Sequence, residues 1–291
     1  MSVLFLDYDK AGIDAQYNLR AAVKDAVAHL GECARRSGIV RAELNPRLDV
    51  PYGPTHAERV NLFPAAKPGA PILVFVHGGY WQRLDKNDFD YVAAPFVAAG
   101  AAVVNVNYAL APRVAMDEIV RQVRAAIAWT WREAKTFNGD PERIHVAGHS
   151  AGGHLTAMAA LTDWAGFAPG LPGGARERVV KSATAISGLY ELEPVRHTYL
   201  NDALRLDAAA ARRNSPSIYV SKNAAPLALA VGADETAEFL RQQRDFASAL
   251  SKAGAAAETL EVPRRHHFDV IHDLAEPGTR LHALVRARLG I

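Results

Sequence analysis

The order of apolar runs in this sequence predicts an α/β protein with a mostly parallel central sheet and helices on both faces. Three observations carry that prediction. Short apolar, β-branched runs recur at 71–77, 101–107, 143–148, 179–186, 227–231 and 256–262, each a buried-strand pattern. Amphipathic helical stretches lie between them, the clearest at 116–136 and 236–253. Glycine and proline punctuate the junctions, as at Pro68-Gly69, Gly100 and Asn138-Gly139-Asp140-Pro141.

Taken in order, residues 15–36 carry Leu19, Val23, Val27 and Leu30 at helical spacing and are expected to form one helix. Asn45-Pro46, Val50-Pro51 and Tyr52-Gly53-Pro54 then break the chain into loop or short extended pieces. A strand is expected at 59–64, a helix at 88–99 closed by Gly100, and a long helix at 116–136 with Ile119, Val123, Ile127 and Trp131 on one side. The strand at 143–148 runs directly into a small-residue helix at 151–161. Residues 190–225 are too many for a simple connection and are read as a partial lid. The helix at 236–253 turns Phe239, Phe246 and Leu250 inward, and 277–289 closes the chain. No repeat, low-complexity tract or linker divides the sequence. It reads as a single domain over 1–291, with a helical and loop segment at about 1–58 in front of the alternating part.

Composition narrows the function classes. With 291 residues, 49% of them hydrophobic and 22% charged, the chain can bury a full core. A formal net charge of +2 is too small to argue for nucleic acid or an anionic membrane as partner. Cys33 is the single cysteine, which rules out an intrachain disulfide or a thiolate zinc cluster and fits a reducing cytoplasm. The opening apolar run lacks a basic start and is soon interrupted by acids, unlike a secretory signal. No run of about 18 apolar residues is present to span a membrane. The expected partner is a small-molecule substrate, and a homodimer is left open.

The chemistry is expected at two glycine-bearing stretches, His77-Gly78-Gly79-Tyr80-Trp81 and Gly148-His149-Ser150-Ala151-Gly152. The second follows a buried strand and opens a helix, the context a nucleophile elbow requires. The plain alternative makes Ser150 a helix N-cap. A neutral serine needs a base, itself oriented by an acid, and in a sheet of this kind both should follow later strands. Asp234, in the loop after 227–231, is the expected acid, with its neighbour Glu235 able to substitute. His267, followed by Phe268, is preferred as base over the adjacent His266. A metal site built from His266, His267 and Asp269 is the weaker reading, since adjacent residues rarely point at one ion. Gly78, Gly79 and Tyr80, with the N–H of Ala151, are expected to face a developing oxyanion. His77 is expected to pin that loop. Tyr80, Trp81, His149 and Tyr190 are the candidates for lining the substrate pocket.

These residues, with Gln82, Gly148 to Leu155, Ser187 to Pro194, Asn214-Ser215-Pro216, Gly232 to Phe239 and His267 to Val270, resemble the arylformamidases (kynurenine formamidases) of the α/β-hydrolase fold. More distantly the chain is similar to hormone-sensitive-lipase-like esterases. The tryptophan at 81, where lipases carry another glycine, is the most discriminating part. The resemblance implies a triad of Ser150, Asp234 and His267, with no metal or organic cofactor. It further implies cleavage of N-formyl-L-kynurenine to formate and L-kynurenine, with Arg83, Arg113 or Arg196 as candidate partner of a substrate carboxylate. A broad carboxylesterase on the same triad is the alternative, and a non-catalytic binding protein of the same fold is the third.

Overall fold

The computed structural model describes residues 3–171 and 179–291; Met1, Ser2 and residues 172–178 of the expected single domain lie outside the described residues. Eight strands form one sheet: β1 (Arg47–Pro51), β2 (Arg59–Phe63), β3 (Ala70–Val76), β4 (Ala102–Val106), β5 (Gly139–His149), β6 (Ser182–Ile186), β7 (Leu227–Gly232) and β8 (Ala257–Val262). Their order is β1-β2-β4-β3-β5-β6-β7-β8, and every pairing from β4 to β8 is parallel. β1 and β2 join antiparallel at one edge.

Strand alternation divides the core between the two faces. Ile72, Val74 and Val76 pack with Ile119, Val123 and Ile127 of the helix Met116–Glu133 and with Phe239, Phe246 and Leu250 of the helix Ala237–Lys252. Leu73 and Phe75 point the other way, toward Phe96, Leu281, Val285 and Leu289. With both faces covered, the strands read as continuous apolar runs, as expected of a buried parallel sheet.

Two local expectations are corrected. Residues 15–36 are not one helix: helices Lys10–Tyr17 and Ala26–Leu44 flank a short turn, Leu19–Ala22, and Val23 is extended at φ −117°, ψ 112°. Val27 is 73% exposed. Tertiary anchoring explains the break. The buried Tyr17 hydroxyl accepts from Gln242 and donates to Glu238, which fixes the end of the first helix independently of the second. The expected helix at 88–99 is reduced to Ala93–Ala98 behind two 3₁₀ turns, where the buried Asp90 carboxylate accepts from Arg41, Asn61 and Asn105. The stretch read as loop or short extended pieces contains the edge strand β1. Residues 190–225 hold short helices at Glu193–Arg196, Asn201–Leu204 and Ala208–Arg213. Among the described residues, no helix is long and apolar enough to cross a membrane.

The site is positioned where β5 gives way to the helix Ala151–Ala160. Between them Ser150 sits at φ 59°, ψ −120°, a region that non-glycine residues seldom occupy. Its N–H donates to the Ile186 carbonyl at 2.8 Å, which holds it there. The helix can start so abruptly because its first turn lies on β3 without side chains between: a Cβ at Gly152 would meet the Val76 carbonyl oxygen at 2.0 Å. Gly152→Ala is therefore expected to cost about 3 kcal/mol or more of stability. Urea unfolding of the purified variant measures this, and a loss below about 1 kcal/mol would show that the helix can lift away freely.

Candidate active site

The described chemistry gathers at the carboxyl ends of successive parallel strands, where α/β sheets bind their ligands. Ser150 follows β5, Ser187 follows β6, Glu235 follows β7 and His267 follows β8. The Ser150 Oγ lies 2.9 Å from His267 Nε2, and His267 Nδ1 lies 2.7 Å from Glu235 Oε2. The carboxylate can only accept from Nδ1, so the proton sits there and Nε2 turns its lone pair to the serine hydroxyl. Ser150 caps no helix N–H with its side chain, contrary to the N-cap alternative. This series can take a proton from the serine as its oxygen attacks, and return it to a leaving group.

The acid position corrects the sequence expectation. Asp234 is exposed, and its backbone N–H donates to the Arg265 carbonyl at 2.9 Å; Glu235 is the residue turned inward. Consecutive residues in this tight turn, closed by Glu235 N–H on the Gly232 carbonyl, point to opposite sides. The longer glutamate side chain then reaches the imidazole. Its other oxygen accepts the Gly232 N–H at 3.0 Å and the Ser187 hydroxyl, so the buried carboxylate has three donors. Ser187, itself at φ 50°, was not singled out as a supporting residue by sequence; its place at a parallel-strand end was the available signal.

Opposite Ser150, the loop after β3 turns through Gly79, Tyr80 and Trp81, all at positive φ. Gly79, at φ 112°, packs so closely that a Cβ would meet the Arg83 carbonyl oxygen at 2.0 Å. His77 Nδ1 donates to the Gly78 carbonyl at 2.7 Å. Because the peptide is planar and trans, that bond turns the Gly79 N–H the other way. The ring of His77 is stacked on Tyr108 at 4.3 Å, and burial lowers its pKa despite the carbonyl. Gly78 approaches Ser150 closely, since a Cβ there would lie 3.0 Å from the serine Cβ. Ala151 opens its helix, and such leading N–H groups have no partner within the helix.

A cavity over Ser150 and His267 is lined by Tyr80 and His149, two of the four pocket candidates, and by Gly78 and Gly79 of the expected oxyanion loop. Trp81 and Tyr190, also expected there, are elsewhere. Trp81 is wholly buried, its indole N–H donating to His154 Nδ1 at 3.2 Å with the rings edge to face. Tyr190 stacks on Phe246 at 4.3 Å, away from the cavity, and burial raises its pKa. In their place the N-terminal segment supplies Asn18, Leu19, Arg20, Leu30 and Cys33, while the 190–225 insert supplies Tyr199 alone. The Tyr80 hydroxyl donates to the Tyr17 carbonyl at 2.9 Å, which ties this segment to the loop. Burial pushes the Cys33 thiol up to about 11, so it behaves as a wall rather than a nucleophile. Of the candidate arginines, Arg83 lines the cavity; Arg113 does not, and Arg196 is paired with Glu193.

His266 stands apart from its neighbour, near His29 and Asp25. Asp25, His29 and His266 bring potential ligand atoms within 4.8 Å of one another. The His266 Nδ1 lies 3.1 Å from the Phe268 nitrogen and 3.2 Å from Asp269 Oδ1, while its Nε2 lies 3.8 Å from Asp25. The trio of His266, His267 and Asp269 does not form, because His267 is engaged by Ser150 and Glu235.

Two histidines brace the site in neutral form. His149 donates from Nε2 to the His267 carbonyl at 2.9 Å; burial, and then the neighbouring His267, hold its pKa well below the usual value. His154 accepts from Trp81 and donates to the Asn214 carbonyl at 2.7 Å, and burial lowers its pKa to about 4. Between pH ~6.5 and 4 the unfolded chain protonates this residue and the folded one does not. Its protonation therefore costs nothing above ~6.5 and about 3 kcal/mol of stability by pH 4. His154→Gln, which keeps an acceptor and a donor, should lose about that much less stability than wild type between pH 7 and pH 4. Urea unfolding at the two pH values decides it, and equal losses would contradict the assignment. For the acid, Glu235→Gln should lower turnover about 10³-fold and Asp234→Asn less than about threefold. Steady-state rates of the two variants measure this, and the reverse order would restore Asp234.

The chain is similar to known hydrolases along most of its length. The family model described as BD-FAE matches residues 60–250. Kynurenine formamidase of Danio rerio is 32% identical over 286 residues, 95% of this chain and 93% of that protein. Esterase LipQ of Mycobacterium tuberculosis is 31% identical over 82% of this chain and 63% of its own length. A protein from Silicibacter sp. TM1040, described as a thioesterase, superposes with a TM-score of 0.79 at 30% identity, covering 94% of this chain and 98% of its own. The chain is a hydrolase-type enzyme, and it belongs to the arylformamidase (kynurenine formamidase) family of α/β hydrolases, related to the lipase-like esterases.

Proposed function

We propose that this protein hydrolyses the formamide bond of an N-formyl arylamine, with N-formyl-L-kynurenine as substrate. The observation that carries the reading is His267 held between Ser150 and Glu235 beneath a largely apolar cavity, in a chain related to a kynurenine formamidase along nearly its whole length. Ser150 Oγ attacks the formyl carbon while His267 Nε2 takes its proton. The resulting oxyanion faces the N–H groups of Gly79, Tyr80 and Ala151. As the tetrahedral intermediate collapses, the C–N bond breaks and His267 delivers the proton to the departing amine. Water, deprotonated by His267, then attacks the formyl-enzyme and releases formate and free Ser150. The aryl group is proposed to lie on the cavity wall formed by Leu19, Phe89 and Ile271. The lone cysteine suits a reducing compartment, and we place the reaction in the cytoplasm.

A carboxylesterase acting through the same residues is the second reading, favoured by the likeness to esterase LipQ. The relative kcat/KM for N-formyl-L-kynurenine and for short-chain nitrophenyl esters separates the two. The formamide is expected to be turned over at least as well, with Ser150→Ala losing about 10⁴-fold or more. A hundredfold preference for the esters, about 2.7 kcal/mol of transition-state discrimination, would overturn the formamidase reading.

A further inference from the structure

We propose that Arg20 and Arg83 together form a subsite for a carboxylate carried on the leaving-group side of the substrate. Both side chains line the cavity that contains Ser150 and His267. Among the described residues they are the arginines that line it, and no aspartate or glutamate lines it; Glu235 sits behind His267. Two fixed positive charges are thus uncompensated within the cavity. Neither guanidinium takes part in an ion pair among the described residues, whereas Arg196, Arg213 and Arg241 are each paired with a carboxylate. Asp14, close to Tyr199, is engaged by the Lys10 ammonium and by the Tyr199 N–H, and does not line the cavity.

The two arginines come from distant parts of the sequence and border the same cavity. Arg20 follows Leu19 in the turn after the first helix, and Arg83 follows the oxyanion loop. Tyr199 is also a lining residue. Both guanidiniums are exposed, whereas Leu19, Phe89 and Ile271 are buried, so charge belongs to the mouth and apolar contact to the floor. The planar fork of arginine matches a carboxylate in two parallel hydrogen bonds. The placement on the leaving-group side rests on the acyl-transfer reading above, in which the acyl part is a single formyl carbon and can carry no charge.

The test compares kcat/KM for N-formyl-L-kynurenine with that for its primary carboxamide, which differs in the negative charge. Wild type is expected to favour the acid about tenfold or more. Arg20→Ala and Arg83→Ala should each reduce that ratio about threefold or more, mainly through KM, and the double variant should bring it near one. The same variants are assayed on O-acetyl-L-tyrosine and its carboxamide. An arginine-dependent preference on the ester pair without formamide turnover would refute the formamidase reading and leave the subsite standing. A wild-type ratio near one on both pairs, or variants that slow acid and carboxamide equally, would overturn the subsite.

Discussion

The helix Ala151–Ala160 is pressed onto the sheet through glycine, and the geometry of the site depends on that contact. At Gly152 the backbone touches the Val76 carbonyl, and at Gly153 a Cβ would lie 2.7 Å from the Ile186 carbonyl oxygen. Ser150 is held in left-handed backbone by this approach from one side and by its hydrogen bond to Ile186 from the other. Such a conformation persists only when the surrounding structure over-determines it. The same closeness brings Ser150 within 2.9 Å of His267 and sets it against Gly78 of the facing loop. One packing constraint between a helix and β3 therefore fixes the serine against both His267 and the facing glycine loop.

Around this contact, direction is carried by histidines whose tautomers are forced by their partners. His77 turns a peptide plane, His149 braces the backbone of His267, and His154 joins the Trp81 loop to the carbonyl of Asn214. Each is buried and each has a depressed pKa, so none adds positive charge to the site at neutral pH. His154 uses both ring nitrogens in this way, one accepting from Trp81 and the other donating to Asn214. Trp81 acquires its meaning here. It does not touch the substrate cavity; it locks the strained loop that does.

The N-terminal segment has a larger part than its position in the chain suggests. Tyr17 and Gln16 bond to the helix that follows the acid loop, and the Tyr17 carbonyl receives the hydroxyl of Tyr80. The segment is thereby fastened to the elements that carry Glu235 and the Gly79–Trp81 turn, and it walls the cavity. The 190–225 insert, read as a lid from its length, touches the cavity through Tyr199.

The alternating sheet, the strand-to-helix turn at Ser150, the glycine loop at 77–81 and the choice of His267 over His266 as the neighbour of Ser150 were legible in the sequence. Each is written in local terms: apolar period, small residues where backbones meet, and order along the chain. The acid was not settled there. Asp234 and Glu235 are neighbours of the same charge, and only the turn against the Arg265 carbonyl decides which one faces inward. The pocket was equally hidden, because Trp81 and Tyr190 could line a cavity or fill a core by any sequence criterion. Their burial is set by His154 and Phe246, contacts made across 73 and 56 residues of chain. Residue type and spacing determined which chemistry this protein carries. Which of two adjacent carboxylates serves it, and which side chains meet the substrate, was decided by the tertiary structure, since side-chain direction in a turn depends on what the turn is packed against.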